Sequence, residues 1–199
     1  MMNNYDFMRK AAESRFCTYD PHILAQKQGV TDEATCLSTI FLGERVEIHK
    51  NSGVCTFPKD ARQANFGETL TILDWLCDSK ENARPSFEFC PVTSLSRVFV
   101  SGSGLALSGD SLAEKIGQDP EAFHRACQSL GGTKISLGDI GYQLNAFPNL
   151  PLQLKFYHSD EDFPASLQFQ WDKHTLHFIR YETVYYLAGC VLDRLRHRM

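Results

Sequence analysis

Between Gly138 and Asp172 three short apolar segments follow one another, GDIGYQLNAFP, LPLQLKFYH and SLQFQWD, separated by Pro-containing or acidic turns. Leu152, Leu154 and Phe156 alternate along the second, and Leu167, Phe169 and Trp171 along the third. Successive side chains of a strand point to opposite faces, so the pattern requires a sheet with one face buried. Connections this short bring neighbouring strands back antiparallel, and the stretch predicts a three-stranded meander. The chain then closes on its clearest helical signal, with Val184, Leu187, Ala188, Val191, Leu192 and Leu195 recurring on one face.

Upstream the period changes from segment to segment. Tyr5, Met8, Ala12 and Phe16 lie at near-helical intervals and predict an amphipathic first helix. In DPHILAQKQG, Asp20 suits a cap, Pro21 a first turn and Gly29 an end. From Cys36 to Phe57 β-branched and aromatic residues dominate, and NSG at 51–53 between two alternating runs predicts a β-hairpin. Phe66, Leu70, Leu73 and Cys77 place one apolar stripe on a helix over roughly 61–78, facing the sheet. The stretch 81–104, with Pro85, Pro91, Gly102 and Gly104, reads as irregular with short strand pieces. SLAE at 111–114 has the form of a capping box that starts a helix. A second start follows at Asp119-Pro120; Phe123, Ala126, Cys127 and Leu130 face inward, and Gly131-Gly132 end it. Strands and helices are grouped rather than alternating. The expected class is therefore α+β: an antiparallel sheet built from hairpins and a C-terminal meander, packed against several amphipathic helices in a single globular domain over 1–199. With 14 Phe and 7 Tyr the core should be rich in rings.

Charge and cysteine usage narrow the function. A formal charge of -4 supplies no basic field, so nucleic acid is not an expected partner. The basic run Arg194, Arg196, His197 and Arg198 falls where the last helix ends and complements its dipole. No apolar run reaches the ~18 residues of a membrane span, and the amino terminus lacks the apolar core of a secretion signal. The sequence therefore points to the cytoplasm, with no membrane partner. Seven cysteines is an odd number, and the closest pair, Cys77 and Cys90, is 13 residues apart. That spacing fits neither a disulfide framework nor a zinc or iron-sulfur knuckle, and reduced thiols buried as small hydrophobes are expected.

The candidate site lies in HSDEDFPASLQFQWDKHTLH, residues 158–177. Asp160, Glu161, Asp162 and Asp172 are the candidate metal ligands, and His158, His174 and His177 the candidate cofactor-binding residues. A mixture of imidazole and carboxylate suits a divalent transition metal, and a lone imidazole suits a haem or corrinoid. His174 and His177 differ by three, so they share a face only in a turn or a helix. The competing reading makes the acidic run a solvated hairpin turn whose Asp residues cap backbone amides, with Phe163-Pro164 anchoring the loop on the core. SGSGLALSGDS fits neither the Walker nor the dinucleotide glycine pattern and reads as a connection ahead of a helix. Cys127, three residues from His124, belongs to an inward stripe, which makes it an inert thiol. The rings of Phe147, Phe156, Tyr157, Phe163, Phe169, Trp171, Tyr181, Tyr185 and Tyr186 follow strand or helix periods and read as core ahead of a cofactor pocket.

Residues 129–172 and the helix after them resemble an uncharacterised domain-of-unknown-function family, DUF3786-like. The likeness rests on a Leu-Gly-Gly, Gly-Asp, Pro-x-x-Pro and Asp-Glu-x-Phe-Pro pattern. The matching positions are Gly131, Gly132, Gly138, Asp139, Pro148, Pro151, Asp160, Glu161, Phe163, Pro164 and Asp172. It holds mainly over 110–199 and more weakly upstream. The resemblance implies a setting in anaerobic bacteria and archaea. Some relatives carry an appended iron-sulfur segment, which implies work near redox or corrinoid metabolism; this chain has no such cysteine segment. The expectation is a noncatalytic cytoplasmic binding or accessory protein of anaerobic metabolism, its partner a protein or a small molecule. The alternative is a metal-dependent enzyme, in which an ion held in 158–177 activates water and a free Asp or Glu acts as base.

Overall fold

The computed structural model describes residues 4–95 and 110–199. Among these residues ten strands form two five-stranded antiparallel sheets, and six α-helices pack on them. The class is α+β, with two sheets where the sequence predicts one.

The first sheet has the order β1-β2-β3-β4-β5, formed by Thr31–Asp32, Cys36–Phe41, Glu44–His49, Cys55–Phe57 and Arg62–Gln63. Asn51–Gly53 joins β3 to β4, where the turn signal lies. A second, tighter turn joins β2 to β3. Phe41 pairs with Glu44, leaving Leu42 and Gly43 as a two-residue loop with φ of 48° and 76°. Positive φ at both positions matches the right-handed strand twist, as in a type I′ hairpin. Leu42 is fully buried and its amide donates to the carbonyl of Ala146 in the other sheet, 3.0 Å away.

The second sheet has the order β6-β10-β9-β8-β7. Its centre is the predicted meander of β8 (Ile140–Phe147), β9 (Leu150–Tyr157) and β10 (Ser166–Asp172); β6 (Phe89–Cys90) and β7 (Thr133–Ile135) form the edges. Leu152, Leu154, Phe156, Leu167, Phe169 and Trp171 are all buried, as the alternation requires.

Helix α1 spans Asn4–Phe16 and α2 Pro21–Gln28, the latter capped by Asp20 and ended by Gly29 at φ 63°. Helix α3 (Phe66–Asp78) starts later than predicted because Arg62–Gln63 pair with β4, and Asn65 and Glu68 satisfy each other's backbone amides. All ten of its residues from Glu68 to Cys77 are buried, not one stripe. It runs between α1 and the last helix, α6 (Tyr181–Arg198), and Trp75 stacks at 4.0 Å on Phe147 of the second sheet. Phe147 in turn lies 5.0 Å from Phe41, so one ring cluster joins α3 to both sheets. Helix α4 runs Asp110–Gln118, which puts Ser111 inside the helix instead of ahead of it. The glycine-rich connection before it lies outside the described residues. Helix α5 (Pro120–Ser129) is capped by Asp119, which accepts from the Ala122 amide.

Candidate functional site

The seven residues singled out from the sequence lie at opposite ends of β10. This strand has seven residues, and at about 3.3 Å per residue it holds its two ends ~20 Å apart. His158, Asp160, Glu161 and Asp162 belong to the bend between β9 and β10, whereas Asp172, His174 and His177 follow the far end. A run that is compact in sequence is thus split in space.

At the bend, Asp160 Oδ1 accepts from the amides of Asp162 and Phe163, at 2.9 and 2.8 Å. The carboxylate caps its own turn. His158 is held through its amide, which donates to Asp139 at 2.8 Å, and its ring meets Phe156 edge-on. Phe163 is 70% exposed, so the loop is not anchored on the core by this ring.

At the other end, Asp172 is fully buried and accepts four hydrogen bonds: from the Ser86 amide and hydroxyl (3.0 Å each), the Phe87 amide (2.6 Å) and the His174 amide (2.8 Å). Those bonds pin the loop before β6, where Phe87 stands 65% exposed at φ 57°. His174 Nδ1 lies 3.0 Å from the Arg84 carbonyl and its ring stacks on His177 at 4.6 Å. A single 3-10 turn, Thr175–His177, brings the two rings to one side, the turn geometry their spacing demands.

Elsewhere the ligand atoms of Glu33, Cys36 and Glu47 lie within 4.8 Å of one another. Arg45 donates to Glu33 at 2.5 Å and to Glu47 at 3.1 Å, so a guanidinium already balances these carboxylates. All seven cysteines are free; only Cys17 is exposed.

Two adjoining cavities show the recess that sequence reading missed. The first, of about 410 Å³, is walled by β3, β5, the start of α3 and the end of α6. In its wall Arg194, buried to 8% exposure, bridges Glu44 at 2.8 Å and Glu68 at 3.1 Å. Arg62 grips Glu68 with two bonds, 2.7 and 2.9 Å, and covers the Phe57 ring. Burial pushes the Glu68 carboxyl up, but the Arg62 hydrogen bond, the Asn65 amide and the charges of Arg62 and Arg194 together leave its pKa below the ordinary value. Cys190 also lines this cavity, and burial pushes its thiol up to about 12. The second cavity, of about 700 Å³, has Glu44, Asp60 and Arg198 in common with the first and adds Lys59, Arg125 and Ser129. These groups are scattered from residue 43 to residue 198, and the sole sequence trace of the site is the basic run at the end of α6.

No curated protein and no solved structure matches the chain. A family model described as Domain of unknown function (DUF3786) matches residues 20–194, which takes in both sheets, helices α2 to α5 and α6 up to Arg194, and leaves His197 and Arg198 of the cavity walls beyond the match. With most of its length matched, this chain belongs to the DUF3786 family.

Proposed function

We propose that the protein is a noncatalytic, cytoplasmic binding protein of anaerobic metabolism, and that it holds a small molecule in the paired cavities at the end of α6. One observation carries the reading: the wall is an ion network in which Glu68, Arg194 and Glu44 are buried and Arg62 closes the outer side, facing a recess. Buried ion pairs cost desolvation that apolar packing avoids, so they are weak contributors to stability. Fixed polar groups around an opening of several hundred Å³ are what small-molecule recognition needs. The reactive groups of the wall are few, and the one imidazole, His197, has its Nδ1 turned to the Asp193 carbonyl. The Cys190 thiol stays protonated at neutral pH, and Glu44, Glu68, Asp60 and Asp193 each face an arginine. The anaerobic and cytoplasmic setting rests on the family resemblance and on seven unpaired thiols.

A thermal-shift screen of metabolites on protein purified anaerobically tests this. A ligand at a hundredfold its Kd should add about 2.7 kcal/mol. Hydrogen exchange should then slow in 44–68 and 190–198. A screen with no stabilising ligand, or protection confined to other segments, would sink the proposal. The alternative, a metal-dependent enzyme, needs the two ends of β10 to act separately; stoichiometric metal lost on Asp160→Ala plus Asp162→Ala would favour it.

A further inference from the structure

We propose that the second cavity is the anion subsite of this small-molecule site, taking a phosphate or dicarboxylate group on Lys59, Arg125 and Arg198. The inference rests on the binding-protein reading and specifies the ligand. It comes from pairing off the charges in the wall. Glu44, Glu68 and Asp60 share Arg194 and Arg62, with Asp60 at 3.9 Å from Arg62, which leaves one carboxylate in excess, and Arg45 is held by Glu33 and Glu47. Lys59 and Arg125 make no ion pair among the described residues. Arg198 donates to neutral oxygens alone, the Ser129 carbonyl at 2.6 Å and hydroxyl at 2.9 Å. Three cations are left facing one recess in a chain of net charge -4.

Helix dipoles do not account for them. The carboxyl ends of α5 and α6 meet here, and each is worth about half a negative charge, ~1 in all. With the one carboxylate in excess also subtracted, about one positive charge remains. Burial, and then the neighbouring Arg194, pull the Arg198 pKa below the ordinary arginine value, although the charges of Glu44 and Asp60 act the other way. An anion between Arg198 and Arg125 would relieve that repulsion, and guanidinium forks match the paired oxygens of phosphate and carboxylate alike.

The test is calorimetric titration at low ionic strength with inorganic phosphate and, separately, with succinate, on wild type, Arg125→Gln, Arg198→Gln and Arg196→Gln. Arg125 makes no hydrogen bond or ion pair among the described residues, so its variant should fold normally even if loss of the Ser129 contact disturbs Arg198→Gln. At least one anion should bind wild type stoichiometrically, about tenfold more weakly in each of the first two variants. Arg196, outside the cavity and paired with Asp193, should be indifferent. The anion that binds tells phosphate from dicarboxylate. Failure of both to bind at millimolar concentration, or equal binding by wild type and Arg125→Gln, overturns the subsite. A metabolite that protects 44–68 and 190–198 equally in wild type and Arg125→Gln would leave the binding-protein reading standing and remove the anion claim; a screen with no ligand removes both.

Discussion

Asp172 shows how much one side chain can organise. It ends β10 in complete burial, and three backbone amides and a hydroxyl converge on its two oxygens. Left-handed backbone is costly for an aromatic residue, and the Asp172 bond to the Phe87 amide helps fix it. Asp172→Ala should therefore cost about 3 kcal/mol, since it strands several donors, measurable as a lower guanidinium midpoint at unchanged slope. The histidine pair beside it sets a pH response. Because His174 Nδ1 faces a carbonyl, it carries the proton there. Burial, then the charge of Lys80 and the proximity of His174, lower the His177 pKa. The folded state thus resists a proton that the unfolded chain accepts near pH 6.5. Stability should fall as pH drops below that value and level off once His177 is protonated in the folded state too. Replacing His177 with Gln should flatten the melting-temperature profile across pH 5–7, and an unchanged profile would refute the assignment.

At the scale of elements, local chemistry explains what could be read in advance. Helices α2 and α5 announce themselves by Asp-Pro starts, and the meander by alternation broken only at Pro148 and the acid-rich bend, all signals within a few residues of the structure they specify. The β2–β3 turn escaped notice because Leu42 is a poor choice for positive φ in isolation; its burial and its bond to Ala146 depend on the other sheet. The separation of the 158–177 candidates is not legible locally, because closeness in sequence hides the length of the strand inside the run. Arg194, Glu44 and Glu68 lie up to 150 residues apart, and no local pattern links them. Two predictions follow from these long-range junctions. Gly43→Ala should cost about 2–3 kcal/mol, because φ there is 76° and the new methyl would come within 2.7 Å of the Leu130 carbonyl carbon at the end of α5. Arg194→Met should cost about 3–5 kcal/mol by leaving Glu44 buried without its cation and Glu68 with Arg62 alone. Adding Glu44→Gln and Glu68→Gln should recover part of it, and a mutant cycle in denaturant would measure the coupling.

Across the whole molecule the question is whether two sheets make one folding unit. Their junction includes the Leu42–Ala146 backbone bond and the Phe147 ring, which touches both Phe41 and Trp75, with Trp75 Nε1 donating to Asn149 at 3.0 Å. Interdigitated rings buried at 0–1% exposure do not separate without opening a cavity on both sides, so the junction should make unfolding cooperative. The two tryptophans report on different parts, Trp75 on α3 and Trp171 on β10. Trp171→Phe and Trp75→Phe therefore give single-probe proteins. Their fluorescence transitions should each coincide with the loss of far-ultraviolet dichroism. Phe147→Ala removes the ring that touches both partners, and should lower stability by about 3–5 kcal/mol. In that variant the Trp75 signal should shift ahead of the Trp171 signal, because α3 loses its hold on the second sheet while the meander keeps its own ladder. If instead the two probes already part in wild type, the sheets are independent units. The cavities would then belong to the unit formed by the first sheet with α3, α5 and α6.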